Sequence, residues 1–278
     1  MIVSQQFRLL NQEGHLASRA FLTGFQEMAS IDYDRPGTVY STLFQLSIAL
    51  ERLMKIVIIL DHMAQHNFST PTDKDLRRLG HSLIELYMAT EKIGRRVGVL
   101  QGWFQTPAIQ TEILSTLSEF ARGARYFNID QLVNGANNID PLTRWFGVHM
   151  KLAKASLSYK RKESIMARSR AHCEAFGLFG WEMGPKGQYD LTVDVTYELE
   201  VARVTRGHVV WSVIEILKPM YLVMGTLEDA LHRAELAKGI TPPVVPHMTE
   251  FFPFGMTDRS TAIRRKQWTS LFHIGGRV

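Results

Sequence analysis

Cysteine is almost absent from this chain: Cys173 is the only one in 278 residues. A lone thiol cannot close an internal disulfide. That excludes a disulfide-stapled scaffold and fits a reducing cytoplasm. Cys173 itself reads as a small apolar helix residue rather than a nucleophile. The phosphate-cradling GxxxxGKS/T loop, the GxSxG elbow and paired CxxC ligands are missing too. Without them the P-loop NTPase, the serine hydrolase of that type and the zinc ribbon lose their support. A long uncharged apolar run is also lacking. The most apolar stretch, 43–60, carries Glu51, Arg52 and Lys55 near its middle, which argues for a buried bundle helix over a membrane span. The opening MIVSQQFRLL has no basic segment leading into an apolar run, so no targeting signal is expected. No internal repeat or low-complexity segment is visible.

What remains is ordinary globular material. Hydrophobic residues make up 45%, charged residues 21% and aromatics 10%. Lys and Arg number 32 against 27 Asp and Glu, a formal charge of +5, which is a mild pointer to an anionic partner. Periodicity is helical almost throughout. Leu43, Leu46, Leu50, Leu53, Val57 and Leu60 follow a 3-4-3-4-3 spacing, which predicts a central helix over about 38–65 with one buried seam. A polar break at 67–73 precedes a helix over roughly 73–97, its first turn interrupted by Gly80. Pro107 opens the next, over about 107–124. Residues 126–140 read as a loop with one short turn.

Pro141 starts a long amphipathic helix to about Phe176. The Gly-rich 177–190 is the best boundary, dividing the chain into 1–176 and 177–278 packed on one core. A helix from about 192 is bent at Pro219. Four prolines forbid a regular element over 239–260, and Phe251, Phe252 and Phe254 are expected to pack on the bundle or on a partner. Arg259, Arg264, Arg265, Lys266 and Arg277 form a basic tail. Trp103, Phe104, Phe120, Tyr126 and Phe127 read as core rather than a stacking platform.

The strongest charge feature lies on the helix from 141. Lys151, Lys154, Lys160, Arg161, Lys162, Arg168 and Arg170 face one acid, Glu163, between 151 and 172. At ~100° per residue, Arg144, Lys151 and Lys162 fall on one line, with Lys154, Arg161, Arg168 and His172 a quarter-turn away. Such a band can track a phosphate backbone, lie against an acidic partner or be a solvated face. His62 and His66, and His81 and Glu85, each share a helix face at i,i+4. Neither pair has a third ligand in a motif, so no metal and no cofactor are expected.

Two segments resemble a known pattern. The apolar helix carries ALERLMKI, with Glu51 and Lys55 as E-x-x-x-K, and after a polar loop the next helix opens GHSLIEL. With ARYFNIDQL at 124–132, these resemble the HEPN superfamily, all-helical domains of prokaryotic toxins and phage-defence proteins. The likeness spans about 38–150, and Ser82 stands where that family usually has an acid after Gly80 and His81. It implies an all-α fold, a multi-helix bundle with an HEPN-like core and a C-terminal helical extension. It also implies RNA as ligand, a homodimer or larger assembly, and metal-independent endoribonuclease chemistry by an Arg and a His with four to six residues between them. Arg would stabilise charge on the phosphorane-like transition state and His would move a proton.

Arg8 and His15, Arg144 and His149, and Arg203 and His208 have this spacing, and Arg144 with His149 is the best placed. Active members tend to have a polar residue directly after the Arg, whereas Leu9, Trp145 and Val204 follow here. An offset of five turns ~140° round a helix, so Arg144 and His149 share a face only if Gly147 perturbs the backbone or a dimer supplies the partner. The candidate nucleic-acid-binding residues are Lys151, Lys154, Arg161, Lys162 and Arg168. Three functions stay open: a metal-independent endoribonuclease, a non-catalytic helical subunit that binds protein or nucleic acid in an assembly, or a small-molecule- or metal-binding helical protein.

Overall fold

The computed structural model describes residues 3–78, 80–104, 108–135 and 139–273. The chain is all-α among these residues, ten α-helices with one two-stranded hairpin. Pro107 and Arg277 lie outside the described residues.

The centre is built by α1 (Gln5–Ala29), α2 (Pro36–Gln65) and α9 (Thr192–Lys238). Pro36 at the first turn starts α2, where its missing N–H costs nothing. Every member of the predicted seam, from Leu43 to Leu60, is at most 1% exposed. α1 packs along α2. α9 crosses both and also touches α4 (Leu83–Arg96), α5 (Ile109–Arg122), α7 (Pro141–Ser156) and α8 (Tyr159–Phe176). By length and composition α9 suffices to cross a membrane, but 61% of its most apolar window is buried in the bundle. One cluster of buried apolar residues runs from Leu10 to Trp268, so residues of 1–176 and 177–278 share a core.

The proline-rich segment returns to that core. Phe252 and Phe254 are buried, edge-on or tilted against Phe21 and Phe25, and Trp268 lies tilted against Phe25 at 5.0 Å. Short 3-10 turns at Met248–Phe251 and Pro253–Met256 carry them there. The following α10 (Arg259–Arg264) lies so close to α9 at Gly207 that a side chain there would strike the Ile263 carbonyl.

Four predicted boundaries are corrected. The helix expected over 73–97 is two, α3 (Asp73–Arg78) and α4, separated by Gly80 at φ +60° and restarted by Ser82, whose Oγ caps Glu85 N. The loop expected at 126–140 holds an eight-residue α6 (Phe127–Asn134), closed by Gly135 in the left-handed region. The single helix expected over 141–176 breaks at Leu157, which is extended. Ser158 then caps α8 by accepting from Arg161 N. The Gly-rich break is a hairpin, β1 (Trp181–Met183) against β2 (Tyr189–Leu191). Pro219 sits inside a continuous α9.

Candidate nucleic-acid interface

α7 is regular through Gly147, so the helix carries Arg144 and His149 to different neighbours. Arg144 reaches α5, where Nη1 donates to Glu119 and Nη2 to Ser115 Oγ at 3.0 Å. His149 faces α9 and is fully buried, its Nδ1 2.8 Å from Thr205 Oγ1. Burial, reinforced by the Arg206 charge, pushes the imidazole down to about 3, so it is neutral across the physiological range. The structure therefore does not bring these two side chains together within one chain. Arg203 is paired with Glu200 at 2.7 Å, a turn away on its own helix.

The segments that carry the HEPN resemblance do meet. Glu51 Oε1 is 2.7 Å from Lys55 Nζ and 2.9 Å from His81 Nδ1. His81 thus pairs with Glu51 of α2 and not with Glu85, as the i,i+4 reading had it. Glu51 and His81 line a cavity of about 200 Å³ with Phe44, Phe120 and Arg125.

The break at Leu157 divides the expected basic band. On α7, Lys151 is held by Glu112 at 2.7 Å, as Arg144 is by Glu119, so two of the cations on the projected line are neutralised. Lys154 is exposed. On α8 the picture differs. Only Ile165, Ser169 and Cys173 are buried, a single stripe at four-residue spacing. Lys160, Arg161, Arg168 and Arg170 are exposed and Lys162 is half-buried. Among the described residues none of these has a carboxylate within ion-pair distance. Arg168 is close enough to Glu200 to help hold that carboxyl below its usual range, after the larger effect of Arg203.

Sequence reasoning missed the hairpin beside α8. Trp181 pairs with Leu191 and Met183 with Tyr189, so all four side chains stand on one face. That face is turned to solvent, with Trp181 68% and Tyr189 64% exposed. Phe176 and Phe179, in the chain leading into the hairpin, are exposed as well. Arg170, Cys173, Phe179 and Leu191 line one cleft of about 330 Å³, where the charged helix meets the aromatic hairpin. The available signal was the alternation W-x-M and Y-x-L either side of a Gly-Pro-Lys-Gly turn. Tyr126, expected in the core, is 52% exposed, whereas Phe120 is buried.

The rings of His62 and His66 lie 4.2 Å apart, tilted to each other, but the adjacent Asp61 is engaged by Arg96 and by Gln65 at 2.7 Å. Comparison of the chain with protein-family models, with curated proteins and with solved structures returned no match.

Proposed function

We propose that this chain is an RNA-binding helical subunit that takes single-stranded RNA along α8 and the hairpin, acting in the cytoplasm within a homodimer or larger assembly. The observation that carries this reading is the shared cleft of Arg170 and Phe179. It joins a row of unpaired cations to a row of exposed rings. Phosphate is attracted by the first and bases stack on the second, the combination that single-strand binders use. An exposed apolar hairpin face is otherwise costly to leave in water. α6 adds Ile129, Leu132 and Val133, all at least 60% exposed, as a face for a second chain. The HEPN resemblance brings a toxin or phage-defence setting with it.

The test is fluorescence anisotropy with labelled single-stranded RNA and the purified chain. Reversal of Lys160, Arg161 and Arg170 to Glu should weaken binding and lower the salt slope by about two, given ~0.7 per phosphate contact on single strands. Trp181→Ala should weaken it with the salt slope unchanged. Absence of binding by the parent chain, or indifference to both changes, overturns the reading.

A second reading, metal-independent cleavage, is favoured by one arrangement. Glu51 orients His81 as a carboxylate orients a catalytic imidazole, and Arg125 lines the same cavity. In this reading His81 moves the proton and Arg125 meets the phosphate. RNA cleavage that survives a chelator but falls by ~10²–10⁴ in His81→Ala supports it.

A further inference from the structure

Away from α8, helix α9 and the proline-rich segment converge on three side chains with metal-binding donors. Glu228 and His232 are four residues apart on α9 and share a face. His247 comes from the segment that follows Pro246. One donor atom of each lies within 4.8 Å of the other two. The two imidazoles are 4.6 Å apart, edge to face.

The hydrogen bonds around them fix which nitrogen of His232 faces the cluster's backbone partner. His232 Nε2 is 3.0 Å from the Val245 carbonyl oxygen. A carbonyl only accepts, so Nε2 carries the proton and Nδ1 keeps its lone pair. An imidazole that gives one N–H to a backbone carbonyl and keeps its other nitrogen free is arranged as metal-bound histidines are. Glu228 is only 5% exposed. It accepts from Thr249 N at 3.0 Å and lies 3.2 Å from His247 Nδ1. Among the described residues no Lys or Arg lies within ion-pair distance of it. A buried carboxylate without a fixed cation is costly, and a divalent ion would supply the missing charge.

The mount is firm on one side and free on the other. Glu235, further along α9, accepts from Val244 N at 2.7 Å and Val245 N at 2.9 Å, which fixes the chain leading to His247. The His247 side chain itself is 66% exposed. It can swing by the ångström or so that brings the donors to the ~3.3 Å spacing implied by tetrahedral bonds of ~2.0–2.1 Å.

We propose that Glu228, His232 and His247 bind one divalent transition metal of the zinc class, which pins the proline-rich segment to α9. Two imidazoles and a carboxylate suit such an ion and not calcium or magnesium, which take oxygen donors. Three protein ligands and the exposed side of His247 leave a fourth position for water.

The experiment is a titration of the untagged, chelator-treated full chain with Zn²⁺ by calorimetry, and with Co²⁺ followed by visible absorption. One equivalent per chain is expected, with the intense visible bands of a four-coordinate cobalt centre and a rise in Tm. His247→Ala leaves the α9 contacts of Glu235 in place and should lower affinity by at least about 100-fold, as should His232→Ala. The double variant His62→Ala/His66→Ala should keep the full equivalent. No binding by the parent chain, unchanged binding in His247→Ala, or loss of the equivalent only in the His62/His66 variant overturns the proposal.

Discussion

Helices α2 and α8 are both regular and both lie against α9, yet they are held in opposite ways. α2 shows a continuous apolar seam, and neighbours on several sides close over it. α8 is 18 residues long and buries three of them, one of which is Ser169. Its apolar anchor, Ile165, belongs to a small separate cluster with Ala153 and Val201. A helix fixed by so narrow a stripe leaves most of its circumference free for something else. In α8 that circumference is cationic, and the hairpin it leads into is aromatic and open to water. Where α2 spends its side chains on the core, α8 displays them.

The largest expected effect tests that contrast through packing. Leu53→Ala removes a side chain from the middle of the seam, where the surroundings cannot collapse, and should cost about 2–5 kcal/mol in urea unfolding. Ile165→Ala leaves its gap in a small cluster separate from the main core and should fall at the lower end of that range. Equal losses at the two sites would erase the distinction between a structural helix and a displayed one.

Acid should separate the two regions next. His149, on the buried side of α7, is held at about 3 in the folded chain against about 6.5 when exposed. Between those values the unfolded chain takes up a proton that the folded one refuses. Stability is therefore fully present above about pH 6.5 and is lost as pH falls towards 3, at up to ~1.4 kcal/mol per unit. Urea midpoints of the parent chain should fall over this window, and those of His149→Gln should fall less steeply. Parallel slopes would mean that other groups set the acid response. RNA affinity near neutral pH should not follow this titration.

Charge reversal at Lys160, Arg161 and Arg170 should have the opposite profile. Among the described residues these side chains touch no carboxylate, so stability should move within roughly ±0.5 kcal/mol while RNA binding drops. Acids at the first turn of α8 even suit the helix dipole. A large loss of stability would show that these cations are structural.

How much of this was legible in the sequence follows the same division. The α2 seam, the start of α9 at Thr192 and the return of Phe252 and Phe254 were all readable, because burial leaves a periodic or compositional mark. The surface was harder. Ser158 interrupts a helical pattern that is continuous in hydrophobicity, and the break shows only in the extended Leu157 and the Ser158 capping bond to Arg161 N. The hairpin strands are three residues each, so their W-x-M and Y-x-L alternation is a single repeat set against a helical pattern on both sides. Pairs of charge across space were invisible as well. Nothing along the chain says that Glu119 and Glu112 neutralise Arg144 and Lys151, or that His81 turns to Glu51. Glu228 and His232 have a readable spacing, but His247 joins them only through the fold of the proline-rich segment.

The smallest expected effect concerns Arg144, the residue that both a catalytic and a structural role would claim. Its guanidinium joins α7 to α5 through Glu119 and Ser115, and Glu119 is 44% exposed. An ion pair this open to solvent is screened, so Arg144→Ala should cost no more than about 1 kcal/mol. RNA affinity should stay within twofold of the parent, because the guanidinium is already occupied by protein. If Arg144→Ala weakens RNA binding as strongly as the α8 reversal, Arg144 exchanges Glu119 for phosphate in the complex. The binding surface would then extend along α7, and the displayed region would begin before the Leu157 break instead of after it.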